Sequence, residues 1–87
     1  MPEPDPVSWL LVEAGWAVLD REGNEVGTVA QVLGDSVMDI FAGLSVATGV
    51  LGKRMYVPSE RIAEIVEGEV RLDLSREEFD RLDPYTR

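Results

Sequence analysis

The sequence contains neither cysteine nor histidine. Without cysteine there is no disulfide and no thiolate metal site. Without histidine, the usual zinc ligand and the usual general base are both missing. Ser8, Ser36, Ser45, Ser59 and Ser75 therefore have no imidazole to activate them. No catalytic, cofactor-binding or metal-binding residue is assigned, no cofactor is expected, and the chain is expected not to be an enzyme. Basic residues are also scarce, with 8 Lys and Arg against 17 Asp and Glu and a formal net charge of −9. Phosphate backbones are bound by clustered Lys and Arg, so direct nucleic-acid binding is not expected. The same charge is repelled by an anionic membrane surface. Excess acid confers solubility; the sharper reading is attraction to a basic partner. No apolar run approaches the roughly 20 residues that span a bilayer. The longest apolar-leaning stretch, residues 37–52, carries Asp39 and three glycines, so membrane insertion is not expected. The N-terminal stretch lacks a basic region, and its apolar run is confined to residues 9–12, so a signal peptide is not expected. Together these absences point to a cytoplasmic protein.

What is present fits one small domain. The chain has 87 residues, of which 45% are hydrophobic, and a domain of this size buries only about 60–65% of its extended surface. The core is therefore thin. Pro2, Pro4 and Pro6 alternate with Glu3 and Asp5, and each proline biases its neighbour to extended geometry. Residues 1–13 read as an acidic, proline-rich tail and docking segment, and residues 14–87 as the folded domain. Within the first part, Ser8-Trp9-Leu10-Leu11-Val12 is open to an edge strand, a helical turn or a docking segment.

From Gly15 onward the punctuation is regular. Strands are predicted over 16–19, 25–33, 43–48, 53–57, 62–66 and 69–74, separated by Asp20-Arg21-Glu22-Gly23-Asn24, Gly34-Asp35, Gly49-Val50-Leu51-Gly52, Pro58 and Glu67-Gly68. The second strand breaks strict alternation and holds Gly27, which suggests a bulge or a close backbone approach. The sixth alternates cleanly, with Val70, Leu72 and Leu74 inward and Arg71 and Asp73 outward. Ser75-Arg76-Glu77-Glu78 is a capping box that opens a helix over 76–82, with Phe79 and Leu82 as its buried stripe. Asp83-Pro84 stops it. The fold class is mainly all-β: a small, strongly bent antiparallel barrel on the six-strand scale with one short C-terminal helix.

Three motifs invite a chemical reading, and each has a plainer one. Gly49-Val50-Leu51-Gly52-Lys53-Arg54 echoes a phosphate loop, but two residues separate its glycines and Arg54 stands where Ser or Thr is needed. A turn and a basic strand edge explain it. The carboxylates of Asp20-Arg21-Glu22-Gly23-Asn24-Glu25 lack the spacing and the bidentate glutamate of a calcium loop, and read as a solvated turn. Glu60, Glu64, Glu67 and Glu69 read as a solvated acidic face.

Two tryptophans stand out in a chain with 7% aromatics. Trp16 reads as core. Trp9 either caps an open barrel end or anchors a partner, since Trp is prominent among interface hot spots. A barrel this small has little interior to hide every apolar side chain. Trp9, Leu10, Leu11, Val37, Ile40 and Phe41 are therefore the candidate partner contacts, with the stretch 37–41 open to burial or to presentation.

Gly15-Trp16-Ala17-Val18-Leu19-Asp20, then Glu22-Gly23-Asn24-Glu25-Val26-Gly27-Thr28-Val29, then Tyr56-Val57-Pro58 with Ile62 and Ile65, then Gly68-Glu69-Val70-Arg71-Leu72-Asp73-Leu74-Ser75, together resemble the PRC-barrel domain. That family includes the cytoplasmic domain of the photosynthetic reaction centre H subunit and the C-terminal domain of the bacterial ribosome maturation factor. The resemblance covers roughly residues 14–83 and rests on glycines, apolar positions and one proline. It implies a small bent barrel acting as an adaptor in larger assemblies, and it brings no shared catalytic residues. The expected function is a non-catalytic interaction module, a homodimer or a subunit of a larger complex with a protein partner. The alternatives are a small-ligand or cation-binding barrel, and a ribosome- or RNA-processing-associated factor acting through protein contacts.

Overall fold

The regular punctuation of the sequence becomes six strands, seen in a computed structural model that describes residues 8–35, 37–38, 40–49 and 53–84. The strands are β1 (Ala17–Leu19), β2 (Glu25–Asp35), β3 (Ile40–Ala47), β4 (Arg54–Pro58), β5 (Ile62–Val66) and β6 (Glu69–Leu72). One short helix, α1 (Arg76–Asp80), follows them. They form one sheet in the order β4-β3-β2-β1-β6-β5. Among the described residues, no helix is long and apolar enough to cross a membrane. The proline-rich stretch 1–7 and the turn 50–52 lie outside the described residues, so neither the expected tail nor the complete phosphate-loop echo is described.

The sheet is mixed, which corrects the antiparallel expectation. β1 pairs antiparallel with β2 but parallel with β6, in the register Ala17↔Glu69, Val18↔Val70 and Leu19↔Arg71. The direction of β6 is set by its own hairpin: β5 and β6 pair antiparallel around Glu67-Gly68, with Gly68 at φ 88. A parallel neighbour requires a long crossover, here the whole chain from β2 to β5. No local signal in the sequence reports such a pairing. The sheet also has two ends. Among the described residues, ladder pairing does not join β4 to β5; a 3-10 turn, Ser59–Arg61, links them through the chain.

Bulges explain the broken alternation of β2. Val18 pairs with Gly27 and Leu19 with Glu25, so Val26 is an extra residue; Ala30 is extra between the Val29↔Val46 and Gln31↔Ser45 pairs. Each bulge shifts side-chain parity by one. Val26 and Val29, three apart, are consequently both buried, and Val32 packs against the same cluster. Between the two bulges β2 lies hard against β3. A Cβ on Gly27 would overlap the Ala47 carbonyl oxygen and crowd the Val46 Cγ1 at 2.9 Å. The glycine is thus the close approach that the sequence suggested.

Valines dominate the core. Val18, Val46, Val57 and Val70 are fully buried with Leu44, and Val12 joins them from ahead of β1. Trp16 is half-buried against this cluster. The helix closes one side through Phe79, 1% exposed. Its capping box is complete: Ser75 Oγ accepts from the Glu78 amide at 3.1 Å, and Glu78 Oε1 accepts from the Ser75 amide at 3.0 Å. The helix ends at Asp80 rather than Leu82. The Arg81 and Leu82 amides donate to the carbonyls three residues back, Glu78 and Phe79, which tightens the last turn into 3-10 geometry. Leu82 still packs against the core. Asp83 precedes a proline and is biased out of the helical region.

Two expected outcomes follow from these contacts. Gly27→Ala should destabilise the fold by about 1–3 kcal/mol, because the overlapping atoms are backbone and cannot swing away. A thermal midpoint equal to wild type would show that β2 and β3 can separate at no cost. The Glu78 carboxyl is held below the ordinary glutamate range, first by the Ser75 amide and then by the Ser75 hydroxyl; burial opposes this, and Arg21 and Arg61 add lesser lowering effects. The folded state thus favours the ionised form. Its stabilising contribution is complete above the unfolded pKa, roughly 4.3, and is lost as pH falls through the lower folded value. The gap in urea midpoint between wild type and Glu78→Gln should therefore be wide near about pH 7 and close near about pH 2. A gap that does not narrow would contradict the assignment.

Candidate functional site

Ser8 starts a 3-10 turn, Trp9–Leu11, by accepting the Leu10 amide on its Oγ at 3.2 Å. Of the three alternatives for this segment, the helical turn is the one observed. The Val12 amide closes the turn on the Trp9 carbonyl at 3.1 Å, and Val12 enters the core. This fixes the Trp9 indole over β2 and β3. Its ring stacks on Phe41 with centroids 5.0 Å apart and planes 8° from parallel. Gly34, opposite Phe41 in the β2–β3 ladder, makes room: a Cβ there would sit 3.3 Å from Trp9 Cη2.

The other candidate contacts lie outside the core. Leu10 and Leu11 are 51% and 59% exposed, and Ile40 is 54% exposed. Val37, 91% exposed, and Met38, 65% exposed, stand at the β2–β3 turn, where Asp35 Oδ1 accepts the amides of both. The alternative left open for 37–41 thus divides by residue: Val37 and Ile40 are presented to solvent, while Phe41 is half-buried under Trp9. Met38 was missed as a contact candidate, although it lies in the same apolar stretch as Val37 and Ile40.

Beside the aromatic pair lies an open groove of about 390 Å³, walled by Trp9, Phe41, Ser59 and residues 62–65. Ile62 and Ile65 pack against the core and also face this groove. They read as ordinary strand interior in the sequence. Ala63, unpaired between the Ile62↔Leu72 and Glu64↔Arg71 pairs, is a bulge that alters their presentation.

The carboxylates divide into structural and free groups. Arg71 is gripped from two sides, Nη1 by Glu64 at 2.8 Å and Nε by Glu69 at 2.8 Å. The Glu69 hydrogen bond is the largest cause holding the Arg71 guanidinium above its ordinary pKa. Glu60 and Glu67 are exposed. The acidic face expected around β5 is therefore solvated at these two positions and ion-paired at the other two. Asp20 departs further from expectation. It is 2% exposed, and its Oδ1 accepts the Glu22 and Asn24 amides at 2.9 Å each. The turn is built around a buried carboxylate, which ties its own backbone as Asp does in tight turns. Among the described residues, no three Asp or Glu side chains converge to hold a metal ion.

No family model matches this chain, and no curated protein matches it closely enough to show kinship.

The stack of Trp9 on Phe41 is measurable. In a double-mutant cycle of Trp9→Ala and Phe41→Ala by urea denaturation, the coupling energy should be about 0.5–1.5 kcal/mol. Strictly additive losses would mean that the two rings do not support one another.

Proposed function

We propose that this chain is a non-catalytic interaction module of the PRC-barrel kind, an adaptor in the cytoplasm that self-associates or enters a larger assembly. The observation that carries this reading is the apolar display of the Trp9 turn and of the β2–β3 end: Leu10, Leu11, Val37, Met38 and Ile40 each leave half or more of their surface to solvent. An apolar display of this kind on a small domain suits contact with another protein. The barrel is supported by the strong bulging of β2 and by the three-residue link between the two end strands. The lack of catalysis is supported by where the carboxylates are engaged. Asp20 holds a turn, Glu64 and Glu69 hold Arg71, and Glu78 caps the helix.

Sedimentation of wild type beside the Trp9→Ala, Leu10→Ala double variant tests self-association. The wild type should sediment above monomer mass, and the double variant should shift towards it. If both are monomers and the wild type retains no protein in an affinity purification from its native cell, the interaction reading is overturned.

A further inference from the structure

Four successive residues of β5, residues 62–65, wall the groove beside Trp9 and Phe41. Successive strand side chains point to opposite faces of a sheet. The bulge at Ala63 breaks that alternation locally, but Glu64 and Ile65, beyond it, both line the cavity, which therefore reaches the edge of the strand. β5 is an end strand, paired among the described residues only with β6. The Ile62 amide is taken by the Ser59 carbonyl; beyond it, alternate residues of an antiparallel pair direct their amide and carbonyl groups away from the partner, so the stretch 63–66 offers backbone donors and acceptors to a further strand. The opposite end of the sheet differs. There the Tyr56 amide donates to the Asp83 carbonyl at 3.0 Å, and Met55 bridges to Pro84. Among the described residues, only the β5 edge combines an uncovered ladder with an apolar wall.

The charge around this edge selects the occupant. Glu64 lines the groove, and the exposed Glu60 lies next to Ser59 in its wall. The neighbouring cations are already engaged. Arg71 is held by Glu64 and Glu69, and Arg61 turns to Glu78 at 3.9 Å and to the Asp73 carbonyl at 3.1 Å. No cation pairs with Glu60 among the described residues. A second copy of the chain would bring another net charge of −9 to this edge.

We infer that the β5 edge receives an extended peptide segment of another protein, apolar at alternate positions and flanked by Lys or Arg, as a seventh strand. The inference rests on the interaction-module reading and names the partner chemistry for it. The segment's backbone pairs with residues 63–66, its apolar side chains enter the groove against Trp9, Phe41, Ile62 and Ile65, and its basic flank meets Glu60. This is strand addition, in which backbone hydrogen bonds supply affinity and alternate side-chain pockets supply selection.

The probe is a fluorescently labelled peptide, KKVTVQVTVKK, titrated into the full chain by anisotropy. Two counterparts leave the protein untouched: EEVTVQVTVEE, and the basic peptide N-methylated at alternate amides. The basic peptide should bind and protect β5 amides from hydrogen exchange. Each counterpart should bind about tenfold or more weakly, and added salt should weaken the basic peptide. Trp9→Ala should also lose about tenfold. Equal binding of the N-methylated peptide excludes strand addition, and equal binding of the acidic peptide excludes the charge argument. If the basic peptide fails to bind while wild type sediments above monomer mass, the inference falls and the interaction reading stands. If neither occurs and nothing is retained from the native cell, both fall.

Discussion

The sheet depends on the contact between Val18 of β1 and Val70 of β6. It is the junction at which the chain's first strand meets its last. Without it the ladder would separate into β1 to β4 on one side and the β5–β6 hairpin on the other. Both valines are fully buried, and β-branched side chains suit a strand packed on both flanks. An isolated two-stranded hairpin is marginal in water. The β5–β6 unit, the groove it walls and the helix that follows it all owe their persistence to this parallel pairing.

Local signals in the sequence were reliable where the physics is local. The alternation of Val70, Leu72 and Leu74 reached the core as read. The reciprocal hydrogen bonds of Ser75 and Glu78 formed as their spacing implied. Gly27 marked a close approach because a side chain there would overlap the Ala47 carbonyl oxygen. The parallel partner of β1 was not legible, since nothing between Leu19 and Glu69 signals which distant strand will lie alongside. Bulges were legible only as irregularity. The sequence shows that Val26 and Val29 violate alternation, but not that residues 26 and 30 are the extra ones.

The candidate site shows the same division. Trp9 and Phe41 stood among the contact candidates as conspicuous apolar residues, but their stacking needs the turn at Ser8 and the empty space above Gly34. The floor of the groove was hidden because Ile62 and Ile65 carry the signature of interior strand residues. Only the bulge at Ala63 and the place of β5 at the sheet's end give them a second exposure. Asp20 misled for a related reason: an Asp in a turn with Gly and Asn suggests a wet carboxylate, whereas it is buried and its Oδ1 accepts the turn's own amides.

The two ends of the sheet differ in a way that bears on growth. At β4 the chain lays Asp83 and Pro84 along the strand, and proline offers no amide to extend a ladder. At β5 the edge stays open. Indefinite head-to-tail stacking of one protein needs two complementary open ends, and among the described residues the β4 end is partly covered while the β5 end is open. Copies that meet through the β5 edge pair across a two-fold axis, a contact that closes on itself rather than extending into a fibre.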